Sequence, residues 1–248
     1  MNVSGYTPRE SRDYEYASMI RVLAWPIGSA HDLNPYVTLM YSWFVPPAAT
    51  LIAYRPLMRH VPEADVFHVQ WPEGIFEGKG GKIQLVAMAK AWRVISTADK
   101  IRRGGGRVVL TAHNLTPHAA LPRWQKRLYD RYFLSLLKRV DLIVALTNEA
   151  LTLFRATYPV IAKTAAEVVP HPHYRQCYTA TLSGADARTR WGLPRDGTVM
   201  GMIGSIRPSK SVPEAIKRFK GVSREGESLL VAGECSSEAE WKWRLAPI

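Results

Sequence analysis

The chain has 248 residues, with 33 Lys and Arg against 21 Asp and Glu, a formal charge of +12, and 47% apolar and 22% charged residues. That balance excludes a mainly disordered chain, and a count of two cysteines excludes a disulfide-dense scaffold or a cysteine-built zinc module. So large a positive charge calls for an anionic partner (nucleic acid, anionic lipid or a phosphorylated substrate) or for a basic, well-solvated surface, and charge alone does not choose among them.

The opening stretch, through Val22, is polar and of mixed charge, without the apolar centre of a secretory signal. Met19–Trp25 reads as a buried strand. No charge occurs between Asp32 and Arg55, but Pro46 and Pro47 interrupt that stretch. The preferred reading is therefore a helix over Pro35–Phe44 and a strand over Thr50–Tyr54, not a membrane span. Asp65–Val69 is a third strand. Apolar residues at helical spacing over Lys82–Arg103 end at Gly104-Gly105-Gly106. Arg107–Thr111 reads as a strand, Pro122–Val140 as an amphipathic helix, Asp141–Leu146 as a strand, Asn148–Tyr158 as a helix and Val168–Val169 as a short strand.

This alternation predicts an α/β fold with a parallel sheet covered by helices. The amino-terminal domain is expected over residues 1–175, an aperiodic connector over 176–197, and a second, partial α/β unit over 198–248. That unit would hold strand Val199–Ile203, loop Gly204–Ser209, helix Val212–Lys220 and strand Leu229–Ala232. Parallel α/β sheets bind ligands beyond the carboxyl ends of their strands. Attention therefore falls on residues 28–36, 70–74, 112–118 and 147–149.

Each of these segments has a chemical and a structural reading. Gly28 permits close backbone approach and Asn34 can cap the helix that follows; the cap alone explains Asn34 equally well. Glu73, just past a buried strand, can accept a proton from a hydroxyl nucleophile, or else be a solvated loop acid or a helix cap. His68, inside the strand, reads as a packed core histidine. His113 and His118 follow a strand with little structural reason to be there, and His113 can bond a sugar hydroxyl or act as a base. No further residues at metal-ligand spacing accompany them, so no metal is expected. Gly204, Arg207 and Lys210 lie between a strand and a helix, where Arg, Lys and a helix terminus can hold a diphosphate, although neither a Walker loop nor a GxGxxG fingerprint is present. No DxD pair is present to hold a magnesium ion, and no cofactor is expected. The helix at 123–139 sets Arg123, Arg127, Arg131 and Lys138 opposite an apolar side, suited either to an anionic membrane surface or to a solvated basic face.

The segments NPYVTLMY (34–41), DVFHVQWPE (65–73), LTAHNLTPH (110–118), HPHYRQCY (171–178) and GSIRPSKSV (204–212), in this order, resemble the two-domain GT-B glycosyltransferases. The similarity is to the β-1,4-mannosyltransferase type of xanthan-like exopolysaccharide assembly. It implies a nucleotide-sugar donor, GDP-mannose in those relatives, and a lipid-diphosphate-linked saccharide acceptor. It implies a peripheral location at the cytoplasmic face of the inner membrane. Arg207 and Lys210 match positions expected to hold the donor diphosphate, His113 the histidine near the transferred sugar, and Glu73 the acid nominated as base. Gly28, Asn34 and His118 are assigned to the acceptor side. Relatives of this type extend past the position matching Ile248, which implies a truncated donor domain or half of a split enzyme, and Ser211 stands where many of them carry glycine. Two rivals accompany the enzyme reading. One is a non-catalytic acceptor-binding module; the other, a nucleic-acid binder, rests on charge alone and matches no recognised module.

Overall fold

The computed structural model describes residues 19–27, 35–42, 48–76, 81–117, 121–175, 177–178, 181–204, 206 and 210–233, with only the backbone described for 81–83. The chain divides into two compact units, Met1–Cys177 and Tyr178–Ile248.

The first unit is a Rossmann-like parallel α/β fold. Its strands are β1 (Ile20–Trp25), β2 (Ala49–Ala53), β3 (Val66–Gln70), β4 (Arg107–Ala112), β5 (Leu142–Ala145) and β6 (Ala165–Val168). They lie in the order β2-β1-β3-β4-β5-β6, every neighbouring pair parallel. The helices are α1 (Tyr36–Tyr41), α2 (Gly81–Arg103), α3 (Arg123–Leu137) and α4 (Asn148–Thr157), with short 3₁₀ turns at Pro72–Phe76 and Pro159–Ile161.

The strands are continuous apolar runs because both faces are covered, and alternation sorts their side chains. Leu23, Phe67, Val69, Val108 and Leu110 point to the face packed by α2, α3 and α4. Val22 and Ala24 point the other way, onto Tyr41 of α1. The connection from β1 to β2 and that from β3 to β4 therefore lie on opposite faces. The switch point of the sheet falls between β1 and β3, where doubly wound folds open a crevice for ligand.

The triple glycine ends α2 as expected. Gly105 has φ +85°, and the amide N–H of Gly106 donates to the Ile101 carbonyl at 3.0 Å. A Cβ on Gly106 would stand 2.8 Å from the Asp65 carbonyl oxygen and 2.7 Å from Ile101 Cγ2, so this position needs glycine for close packing against the start of β3. Helix α3 buries Tyr129, Tyr132, Phe133, Leu136 and Leu137, one stripe at three- and four-residue steps. Arg139, just beyond α3, forms a two-pronged bond to Asp99 of α2 at 2.7 and 3.0 Å. The Thr147 hydroxyl caps α4 by accepting from the Ala150 amide at 3.0 Å. Among the described residues, no helix is long and apolar enough to cross a membrane.

The second unit pairs β7 (Thr198–Ile203) with β8 (Glu227–Ala232) in parallel, joined through α6 (Val212–Val222) and preceded by α5 (Gly184–Arg190). Helix α5 stands within the stretch expected to be an aperiodic connector. Its seven residues bury no side chain, so it carries no apolar period to read; Ser183 holds it by accepting from the Asp186 amide at 3.1 Å.

Candidate functional site

At the carboxyl ends of β3 and β4, two segments are tied together by side chains. One runs from Gln70 to Glu73, the other from Thr111 to Asn114. His113 Nε2 lies 3.0 Å from Gln70 Oε1, and Asn114 Nδ2 donates to Glu73 Oε1 at 2.5 Å. The two candidates Glu73 and His113 are thus brought into one neighbourhood by Gln70 and Asn114.

The local backbone explains the placement. Trp71 leaves β3 with φ +45°, a left-handed conformation that a bulky residue rarely adopts, and the turn at Pro72–Phe76 follows at once. That kink lays the Trp71 indole on the His113 imidazole, with ring centres 4.0 Å apart and planes inclined by 13°. Tyr36, at the start of α1, meets both rings edge-on, at 5.7 Å from Trp71 and 4.8 Å from His113. His171 approaches Tyr36 at 4.8 Å, and its Nε2 lies 3.2 Å from the Tyr174 hydroxyl. The result is an aromatic enclosure around one histidine at the switch-point side of the sheet.

Beside it, a cleft of about 330 Å³ lies between the segment after β4 and helix α4. His113, Asn114 and Thr116 are its polar lining residues, and Leu115, Leu153 and Phe154 are among its apolar ones. The Tyr158 hydroxyl pins this segment by donating to the Leu115 carbonyl at 2.5 Å. The lining of the cleft therefore mixes hydrogen-bonding and apolar side chains, as small-molecule clefts do.

Glu73 is 4% exposed. Besides accepting from Asn114, its charge helps hold the hydroxyls of Tyr129, Tyr132 and Tyr158 protonated, for each of which burial is the main cause. The carboxylate is thus felt on the α3 and α4 side of the sheet. His68 is buried, as expected for a strand histidine, but it is not merely packed. Its Nδ1 lies 2.9 Å from the Tyr41 hydroxyl and its Nε2 2.8 Å from Thr111 Oγ1.

Burial lowers the His68 pKa to about 4. For His113, burial first, then His171 and His68, lower it to about 3. Both rings are therefore neutral at physiological pH. In the unfolded chain each takes up a proton near pH 6.5 (about the ordinary histidine value). The unfolded state then binds more protons than the folded state at lower pH. Stability that is intact above about pH 6.5 is lost progressively as pH falls toward the folded values. The urea midpoint is expected to decline over that window, and His113→Asn to decline less steeply. Equal slopes for the two proteins would contradict this account of the His113 ring.

The other sequence candidates fall elsewhere. Gly28, Asn34, His118 and Arg207 lie outside the described residues. Gly204 and Lys210 belong to the second unit. Gly204, with φ +123°, donates its amide to the Ala232 carbonyl at 2.9 Å, and a Cβ on Gly233 would collide with its carbonyl; this close approach is a structural reason for glycine there. Lys210 is exposed just ahead of α6. Ser211 has φ +46°, the left-handed region that favours the glycine other sequences were expected to carry. Among the described residues, no three His, Cys, Asp or Glu side chains converge as metal ligands.

Trp71, Tyr41 and His171 carry no functional signal of their own in the sequence. Each sits inside or beside a motif that does, but an aromatic within an apolar pattern reads first as core. No protein-family model matches this chain, and no curated protein sequence matches it.

Proposed function

We propose that the chain is a GT-B-type glycosyltransferase that moves a hexose, mannose from GDP-mannose by resemblance, onto a lipid-diphosphate-linked saccharide. In this reading residues 1–175 form the acceptor domain, and 198–248 form part of the donor domain. The observation that carries it is the cleft of about 330 Å³ at the carboxyl edge of the parallel sheet, lined by a neutral histidine, an asparagine and apolar side chains. His113 would meet the acceptor hydroxyl or the transferred sugar. Arg207 and Lys210 would balance the charge that develops on the departing nucleoside diphosphate. Glu73, nominated as base, is buried and accepts from the Asn114 amide; in this reading it positions the segment that carries His113, and His113 is the group that meets the hydroxyl.

Support for a membrane-side location comes from the helices. Trp124, Arg127, Arg131, Leu134 and Lys138 form an exposed stripe along α3, and Leu85, Met88 and Trp92 an exposed stripe along α2. Basic side chains interleaved with exposed tryptophan suit the head-group region of an anionic bilayer at the cytoplasmic face.

A second reading is favoured by one observation. No residue of β7 or β8 is buried, although parallel strands are ordinarily covered on both faces. An acceptor-binding module, or one subunit of a split glycosyltransferase, would leave that sheet to be covered by another polypeptide. Incubation of the full chain with labelled sugar nucleotides and a lipid-linked acceptor tests the first reading. Calorimetry separates the two, since glycolipid binding without GDP-mannose binding belongs to the second.

A further inference from the structure

The face of the sheet that packs against α1 carries a run of polar side chains. A packed parallel sheet has no need of them, and each is costly to bury unless it is bonded. His68, Gln70 and Thr111 project from β3 and β4 on that face and are 7%, 0% and 1% exposed. With Tyr41 of α1 they form a continuous chain of hydrogen bonds that ends at His113.

The donors and acceptors along this chain dictate a direction. Gln70 Nε2 donates to the Tyr41 hydroxyl oxygen at 3.1 Å. The Gln70 carbonyl, Oε1, is therefore the atom presented to His113 Nε2 at 3.0 Å. A carbonyl oxygen only accepts, so the proton of the neutral ring resides on Nε2 and the lone pair on Nδ1. Further in, the Tyr41 hydroxyl lies 2.9 Å from His68 Nδ1, and His68 Nε2 lies 2.8 Å from Thr111 Oγ1; a Tyr41 hydroxyl that donates to Nδ1 and an Nε2–H that donates to Thr111 continue the same polarity. Reversing the bond to His113 requires reversing the Gln70 amide, which would then lose its donation to Tyr41.

We propose that Gln70, oriented by Tyr41 and His68, is a positioning residue that locks His113 in the Nε2–H tautomer, so that its Nδ1 accepts a hydrogen bond and the cleft takes the hydroxyl of a neutral saccharide and not an anion. The ligand class rests on the glycosyltransferase reading; the tautomer lock does not. A histidine fixed in this way is ready to accept a proton or hydrogen bond from an alcohol without first rearranging. The stacked Trp71 holds the ring plane while Gln70 sets its polarity. Low basicity of the buried ring is in keeping with this, because Nδ1 keeps its lone pair down to strongly acid pH while Nε2–H goes on donating to Gln70.

The test is long-range proton–nitrogen correlation NMR on the full chain with ¹⁵N-labelled histidine, with the His113 signals assigned by their loss in His113→Asn. At neutral pH the wild-type ring is expected as the Nε2–H tautomer, in excess by roughly fivefold or more, the bias of one retained hydrogen bond. Tyr41→Phe removes the group that orients the Gln70 amide and is expected to bring the two tautomers to comparable populations. Gln70→Glu, whose carboxylate accepts on both oxygens, is expected to keep the Nε2–H form and to raise the pH at which the ring titrates. A merely structural role for Gln70 would leave the tautomer of Tyr41→Phe as in the wild type. A wild-type ring in the Nδ1–H form, or a Tyr41→Phe ring with unchanged tautomer, overturns the lock. Should Tyr41→Phe fail to fold, Gln70→Leu decides: it removes the accepting carbonyl, loss of the Nε2–H excess is expected, and an unchanged tautomer overturns the lock.

The ligand class has its own arm. Addition of a methyl hexoside is expected to move the His113 Nδ1 resonance, and inorganic phosphate to leave it in place. An unmoved Nδ1 at the highest soluble hexoside concentration, or movement with phosphate alone, overturns the hydroxyl assignment. The tautomer is read without turnover, so the lock can fail while transfer is intact, and transfer can fail while the lock stands.

Discussion

Replacement of His113 by alanine is expected to lower sugar transfer by roughly two orders of magnitude or more, the usual contribution of a positioned proton acceptor. The ring is partly exposed to the cleft, so its removal leaves room for water to bond Gln70 Oε1 and Trp71 loses only a stacking partner. The loss is therefore expected in kcat more than in thermal stability. His113→Gln offers an acceptor oxygen and is expected to recover binding of the acceptor but little of the rate, because an amide does not take a proton at neutral pH. Steady-state kinetics on the three proteins checks this; a fall confined to KM would move His113 from the reacting atoms to acceptor binding alone.

Phe133→Ala is expected to have the opposite signature, with stability reduced by about 3–5 kcal/mol, as for a large aromatic removed from a close-packed core. Phe133 is 3% exposed and stacks on Tyr129, with ring centres 5.4 Å apart and planes inclined by 14°. It also meets Tyr158 at 5.1 Å and Phe154 at 6.3 Å edge-on. Deleting it opens a cavity where α3, α4 and the turn after α4 converge. Phe154 lines the cleft, and Tyr158 holds the Leu115 carbonyl beside His113, so the damage is also expected to loosen the cleft wall. Urea unfolding monitored by tryptophan fluorescence measures the first effect. A loss below about 1 kcal/mol would mean that the cluster repacks and the cavity closes.

Much of this architecture can be read from the sequence because its signals are local. The apolar runs at 19–25, 65–69 and 107–111, the helical spacing over 82–103 and the three glycines that end it specify strand, helix and stop without tertiary information. The ends of strands carry the functional signal for a related reason. A polar residue such as Gln70 or His113 beside a continuous apolar strand marks where the sheet meets its ligand edge. What could not be read depends on contacts between residues far apart in the chain. Tyr41 and His68 are 27 residues apart and His68 and Thr111 are 43 apart, and only the α1 side of the sheet shows that they form one bonded chain. A strand histidine with two bonded nitrogens and one that is simply packed look the same in sequence. Helix α5 escapes for a different reason, since a short helix with no buried side chain leaves no periodicity. Trp71 carries its signal in a backbone angle, which residue type does not reveal.

The most direct measurement is transfer of labelled mannose from GDP-mannose to a polyprenyl-diphosphate-linked saccharide by the full chain, run beside the Arg207→Ala, Lys210→Ala double variant. The account predicts label in the lipid fraction with the wild-type chain and its loss, by roughly two orders of magnitude, in the double variant, which lacks both cations proposed to meet the leaving diphosphate. Label that accumulates equally in both proteins, or that never reaches the lipid fraction with any nucleotide sugar, would contradict it.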